Sequence, residues 1–196
     1  HPLGGGGFQL LGALSVETAL GPRACRPFDA ARAGAVLGEG AAVFVLEPLD
    51  RAQAEGKTVL AEVCGYGSTL DAHSLSAPDP DGDGAARAML GALADAGLAP
   101  EQVSHVNAHG TGTPLNDEAE ARAIRRVFAG CWQRIPVSAT KSMTGHLIAA
   151  AGPLEIGACL LALLRGVLPP NPSLERVAAG CELDHVATAR KGFDGE

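Results

Sequence analysis

Two histidines stand in short runs of glycine and small hydroxyl residues. One run is His109-Gly110-Thr111-Gly112-Thr113; the other, about thirty residues later, is Lys141-Ser142-Met143-Thr144-Gly145-His146. A glycine beside a histidine lets backbone and substrate approach closely. The threonines add hydroxyl donors without enlarging the site. This combination suits a pocket that holds two imidazoles against a carbonyl or carboxylate. A lone histidine in a turn reads as a satisfied core residue, but two in these settings read as chemistry, because a motif counts only with its context.

Such side chains need elements to aim them. Val103 to Asn107 has the look of a short strand that delivers His109 at its end, and Ile135 to Ser138 of another that leads to Lys141. Asn116 and Asp117 are expected to start a helix through Phe128, and Thr144 to begin a long apolar helix. Upstream, His1-Pro2-Leu3 and the run Gly4 to Gly7 read as a tight turn into a helix over Phe8 to Leu14. Ala41 to Leu46 and Val59 to Tyr66 read as buried strands, with a helix over Leu49 to Glu55 between them. Asp83 is expected to cap a helix from Gly84 to Ala96 that Gly97 ends. Strand and helix patterns alternate, which predicts a layered α/β fold. Asp79 to Gly84 matches the start of a calcium-binding loop, but Leu90 stands where the closing glutamate belongs, so the stretch reads as a turn.

The 196 residues can bury one sizeable core, built from Ala, Val, Leu and Ile because aromatic residues make up only 4%. A net charge of −7 argues against a nucleic-acid partner, because phosphate binding needs a concentrated basic surface. Five irregularly spaced cysteines with no CxxC pair predict reduced thiols in a cytoplasmic protein, with neither a disulfide framework nor a metal site. Leu147 to Leu164 is apolar but carries Pro153 and Glu155, and so reads as a buried helix and not a membrane span.

Four segments together resemble the β-ketoacyl-acyl-carrier-protein synthases, or ketosynthases. They are VNAHGTGTPLNDEAEARAIRRVF from Val106, SATKSMTGHLIAAAGPLE from Ser138, CRPFDAARAGAVLGEGAAVFVLE from Cys25 and CGYGSTLDAHSLSAPDPDGDG from Cys64. Asn107 makes the first look more like the discrete fatty-acid (KAS II-like) type than the modular polyketide type. The resemblance implies a thiolase-like fold, layered α-β-α-β-α, of which residues 1–196 would be chiefly the second half of the repeat. The family's nucleophilic cysteine sits at a strand-to-helix elbow; none of Cys25, Cys64, Cys131, Cys159 and Cys181 has such a setting. The family's closing Gly/Phe-rich loop is absent as well. The chain is therefore expected to be the C-terminal part of a ketosynthase domain, whether a split-gene product, a proteolytic piece or a segment, and to be inactive alone.

The resemblance also implies roles. A ketosynthase holds an acyl chain as a cysteine thioester, decarboxylates a malonyl group on acyl carrier protein, and joins the two by Claisen condensation. His109 and His146 would bind malonyl and stabilise the enolate as neutral donors. The start of the long helix beside His146 disfavours imidazolium. Lys141 would order the site through a carboxylate, with Glu155 matching the family's partner and Glu120 a second candidate. On an unbroken helix Glu155 would point nearly opposite to His146, so that pairing rests on the resemblance. Thr111 and Thr113 would bond the phosphopantetheine arm, while Phe28, Ser76 and Ala77 would edge the acyl tunnel. No cofactor beyond the carrier's phosphopantetheine is implied. The expected partners are a cysteine-bearing ketosynthase half, an acyl carrier protein, and a second subunit in a homodimer or with a chain-length factor. Arg125, Arg126 and Arg134 are candidates for a basic patch that would meet an acidic carrier, but read first as solvated helix charges. No nucleic acid or membrane is expected. Two other readings are a non-catalytic, chain-length-factor-like subunit, which would have no chemical need for His109, Lys141 and His146 together, and a thiolase acting on coenzyme A thioesters, whose second cysteine Cys181 does not match.

Overall fold

The computed structural model describes residues 2–74 and 76–195. His1, with which the expected N-terminal turn begins, lies outside them. The four glycines that follow are helical: α1 runs Pro2–Leu10, and the turn comes only at Gly12, with φ +66°. Helix α2 covers Leu49–Ala54 and α3 covers Asp83–Ala96, stopped by Gly97 in the left-handed region. Asp83 is the first helical residue of α3 and not its cap. That place is taken by Gly82 at φ +67°, where a Cβ would come 2.3 Å from the carbonyl oxygen of Ala119. Glycine is thus what lets α3 enter hard against α4.

Helix α4, Pro114–Val127, starts two residues earlier than Asn116 because proline's fixed φ suits the first helical position. Ala119, Ala123, Ile124 and Val127 bury one face, while Glu118 and Arg122 pair on the other. With Phe28, Phe128 and Val137, the side chains of Ala123, Ile124 and Val127 belong to the main core. Each large side chain so buried contributes about 1.5–3 kcal/mol.

Three short parallel strands lie in the order β1 (Val106–Asn107), β2 (Pro136–Ser138) and β4 (Asp184–His185). A separate antiparallel pair joins β3 (Val167–Leu168) to β5 (Arg190–Lys191). The residues that follow β1 and β2 emerge from the same edge of the parallel sheet, the side on which open α/β sheets bind ligands.

Two expected strands are missing. Neither 41–46 nor 59–66 joins a ladder among the described residues, and their apolar side chains face outward, with Val43 91% and Tyr66 75% exposed. A strand pattern needs a neighbouring strand, and among the described residues none pairs with either segment. Nor does Thr144 begin the long helix. It ends a four-residue helix, α5 (Lys141–Thr144), broken by Gly145; a 3₁₀ turn over Ile148–Ala150 then leads into α6, Ala151–Arg165. Expected to be buried, α6 instead exposes Ile156, Leu161 and Leu164. Among the described residues, Ile148–Arg165 is long and apolar enough by length and composition to cross a membrane, with a mean hydropathy of 1.6.

Candidate active site

His109 and Lys141, which follow β1 and β2, are brought together by register. Asn107 lies opposite Ser138, and the N–H of Ala108 donates to the carbonyl of Ser138 at 2.8 Å. His109 and Lys141 leave the sheet just beyond that row. The turn after His109 uses left-handed backbone at Gly110 (φ +40°) and Gly112 (φ +78°), and the ring of Phe28 packs under Gly110.

Two carboxylates three residues apart on α4 hold this turn. Glu120 accepts the N–H groups of His109 at 2.6 Å and Gly110 at 2.8 Å. Burial pushes its carboxyl up to about 7, against these two N–H groups, which favour the charged form. Asp117, fully buried, accepts the N–H groups of Gly112 at 3.2 Å and Phe28 at 2.8 Å. Glu120 therefore braces the histidine turn and is not the lysine's partner.

That partner is Glu155. Lys141, 1% exposed, donates from Nζ to Glu155 Oε1, to the carbonyl of His109 at 2.5 Å and to His109 Nδ1 at 3.3 Å. The break at Gly145 is what makes the pair possible. It starts α6 at Ala151 and turns Glu155 back towards Lys141, which an unbroken helix from Thr144 would not do.

His146 sits in the connection and not on a helix, so the expected dipole effect is replaced by direct bonds. Its N–H donates to the carbonyl of Val36 at 2.7 Å, and its carbonyl accepts the N–H of Gly38 at 3.1 Å. Its Nδ1 accepts the N–H of Ile148 at 3.1 Å. Ile148 is held at φ +56°, a costly conformation for a β-branched residue. The two imidazoles lie 5.3 Å apart, centre to centre, at 88°. With Nδ1 of each ring accepting, each neutral ring carries its proton on Nε2. Loss of water around the ring, then the charge of Lys141, lowers His109 to about 4 and also lowers His146.

The hydroxyls of Thr111 and Thr113 lie 2.8 Å apart at the end of the turn. Thr111 is buried and also reaches Asp117, whereas Thr113 is half-buried. Phe28 is wholly buried beneath the turn, and Ser76 and Ala77 lie in the loop before α3. Arg125 and Arg126 pair at the surface with Glu182 and Asp83. Arg134 precedes β2, at the sheet edge away from Lys141. All five cysteines are unpaired. Burial pushes Cys25 and Cys181 up to about 11 and raises Cys159 as well, so none of these three is an activated thiolate.

Sequence reading missed Asp117, Gly38 and Ile148 as parts of this site. Asp117 had a signal in its three-residue spacing from Glu120. The other two act through backbone atoms and leave none.

Residues 60–175 match the β-ketoacyl synthase C-terminal domain, and residues 1–52 match the N-terminal domain. The 3-oxoacyl-[acyl-carrier-protein] synthase 2 of Coxiella burnetii is 46% identical over 94% of this chain and 45% of its own length. The protein of the same name from Synechocystis sp. is 45% identical over 94% of this chain and 44% of its own. The chain thus spans about half the length of these relatives. Two solved structures are also similar. One is a type II PKS acyl-carrier protein in complex with its ketosynthase bound to the hexaketide, with a TM-score of 0.94 at 33% identity over 100% of this chain and 48% of that one. The other is the ishigamide ketosynthase/chain length factor, with a TM-score of 0.84 at 38% identity over 96% and 47%. The fold is therefore that of the ketosynthases, thiolase-like.

Proposed function

Because the chain belongs to the β-ketoacyl synthase family, we propose that it supplies the histidine–lysine side of a condensing active site. The reaction is decarboxylative Claisen condensation of malonyl-acyl-carrier protein with an acyl chain held on a cysteine of another half. The observation that carries this reading is the pair of rings at 5.3 Å and 88°, each with Nδ1 occupied and Nε2–H free to donate.

Breaking the bond from the malonyl α-carbon to its carboxyl releases carbon dioxide and leaves the electron pair as an enolate. Two preorganised N–H donors stabilise the enolate oxygen without surrendering a proton. The carbanion then attacks the acyl thioester carbon, and the cysteine leaves as thiolate. Lys141 removes no proton in this sequence. Its charge, fixed by Glu155, holds His109 in the donor tautomer and disfavours a second proton on that ring.

Thr111 and Thr113 would receive the phosphopantetheine arm. The outward apolar faces of 41–46, 59–66 and α6 fit burial against the cysteine-bearing half, and a dimer of such assemblies is the proposed active unit. Free thiols suit a reducing, cytoplasmic setting. A chain-length-factor-like role would need the apolar faces but not the ordered triad.

The test combines this chain with a cysteine-bearing half. His109→Ala or His146→Ala should leave cysteine acylation intact and cut malonyl decarboxylation about a hundredfold or more. Normal decarboxylation by either variant would refute the role of that histidine.

A further inference from the structure

We infer that the hydrogen bond between Asn107 and Thr140 sets the separation of His109 and Lys141, making Asn107 and Thr140 positioning residues of the condensing site. The inference rests on the function proposed above and adds two residues to it.

Two locally unusual features converge on this one bond. Asparagine is disfavoured in strands, yet Asn107 closes β1, and its Nδ2 is buried without a partner. A buried unpaired donor is a cost that calls for a compensating use. Threonine at a helix N-cap ordinarily bonds its own helix, yet the hydroxyl of Thr140 makes no such bond. It donates instead across the sheet edge to Asn107 Oδ1 at 3.3 Å, and Thr140 is only 3% exposed. Turning the amide over would exchange donor and acceptor and still join the same residues.

Position explains the use. Among the described residues, the backbone ladder between the two loops ends where Ala108 donates to Ser138. Beyond that row only two ties remain, Thr140 to Asn107 and Lys141 to His109. The first comes one residue before Lys141 and two before His109. It fixes the loops at the point where they part, so that Lys141 Nζ meets His109 Nδ1 without having to hold the loops together itself. A displacement of about 1 Å at such a point is enough to cost a hundredfold in rate.

In the assembled enzyme, Asn107→Ala and Thr140→Val should each lower kcat for malonyl decarboxylation roughly ten- to a hundredfold with little change in KM. The double variant should be no worse than either single, since both remove the same bond. Thr140→Ser should recover most of the rate. In this chain by itself, NMR titration should find the midpoint of His109 raised in Asn107→Ala and Thr140→Val but not in Thr140→Ser. Multiplying losses in the double variant, a Thr140→Ser as poor as Thr140→Val, or an unmoved His109 titration would each overturn the inference. Should Asn107→Ala fail to fold, the nearly isosteric Thr140→Val decides alone. An assembly of wild-type halves that never decarboxylates would sink the proposed function, while the His109 titration would still judge the positioning claim.

Discussion

Lys141 carries its charge where water barely reaches, and every role assigned to it follows from that. Glu155 is its only carboxylate within ion-pair distance among the described residues. Glu155→Gln should therefore leave a buried cation unmatched and lower stability by about 3–5 kcal/mol, read from denaturant melts. The same charge helps to hold His109 near 4, below its ordinary 6.5. Between those values the unfolded chain binds a proton that the folded ring refuses. The ring's contribution to stability is thus complete above about 6.5 and fades as pH falls towards 4. Lys141→Ala should shift the acid limb of decarboxylation to higher pH while lowering the rate throughout, and Lys141→Arg, with the charge but not the shape, should keep part of the rate. An acid limb that stayed in place in Lys141→Ala would show that the lysine does not set the histidine's protonation. The histidines, the lysine and Glu155 were legible because glycine and hydroxyl residues flank the first three and the family motif carries the fourth. Ile148 was not, because it acts through an N–H that every residue but proline possesses.

At the scale of elements, the site depends on where helices stop. Gly145 ends α5, and the segment 36–38 then grips the peptide of His146 on both sides. Gly38 has no room for a side chain, since a Cβ there would stand 2.1 Å from the carbonyl oxygen of Thr144. Gly38→Ala should push this segment off His146, costing about 1–3 kcal/mol and most of the decarboxylation, as melts and rate assays would reveal. Unchanged activity in that variant would mean that His146 is held by Ile148 alone. The helices α3 and α4 could be read from the sequence to within two residues because alanine content, Asn116, Asp117 and Gly97 all act locally. The break at Gly145 was misread because one glycine in an apolar run is compatible with a continuing helix. The Gly4 to Gly7 run was misread for the converse reason, its glycines being helical despite their poor propensity. The strands at 41–46 and 59–66 have the right composition, but pairing takes two segments, and among the described residues neither finds a partner.

For the molecule as a whole, the main core is closed around β1, β2, β4, α3 and α4, while another surface is left apolar and open. Val43, Val45 and Leu46 lie 91%, 87% and 78% exposed, and Leu161 and Leu164 on α6 more than half. Exposed apolar side chains in this number mark a contact face. Two features argue that the contact is protein and not lipid. Pro153 and Glu155 lie in the first turns of α6, and Glu155 is already committed to Lys141 inside the site. Among the described residues, 41–46 and 59–66 join no ladder, and backbone left without partners would be costly in hydrocarbon, whereas a neighbouring strand would satisfy it. We therefore expect this chain to self-associate when alone and to form a defined complex with a cysteine-bearing ketosynthase half. The interface should be larger than the standard size of about 1,600 Å². Sedimentation velocity should show the self-associated species give way to one complex on mixing, and hydrogen exchange should show protection appearing at 41–46 and 59–66. Substituting Val43 and Val45 with lysine should weaken the complex while sparing the ion pair of Lys141 and Glu155. A lone chain that stayed monomeric and ignored the added half would overturn this assignment of the open face.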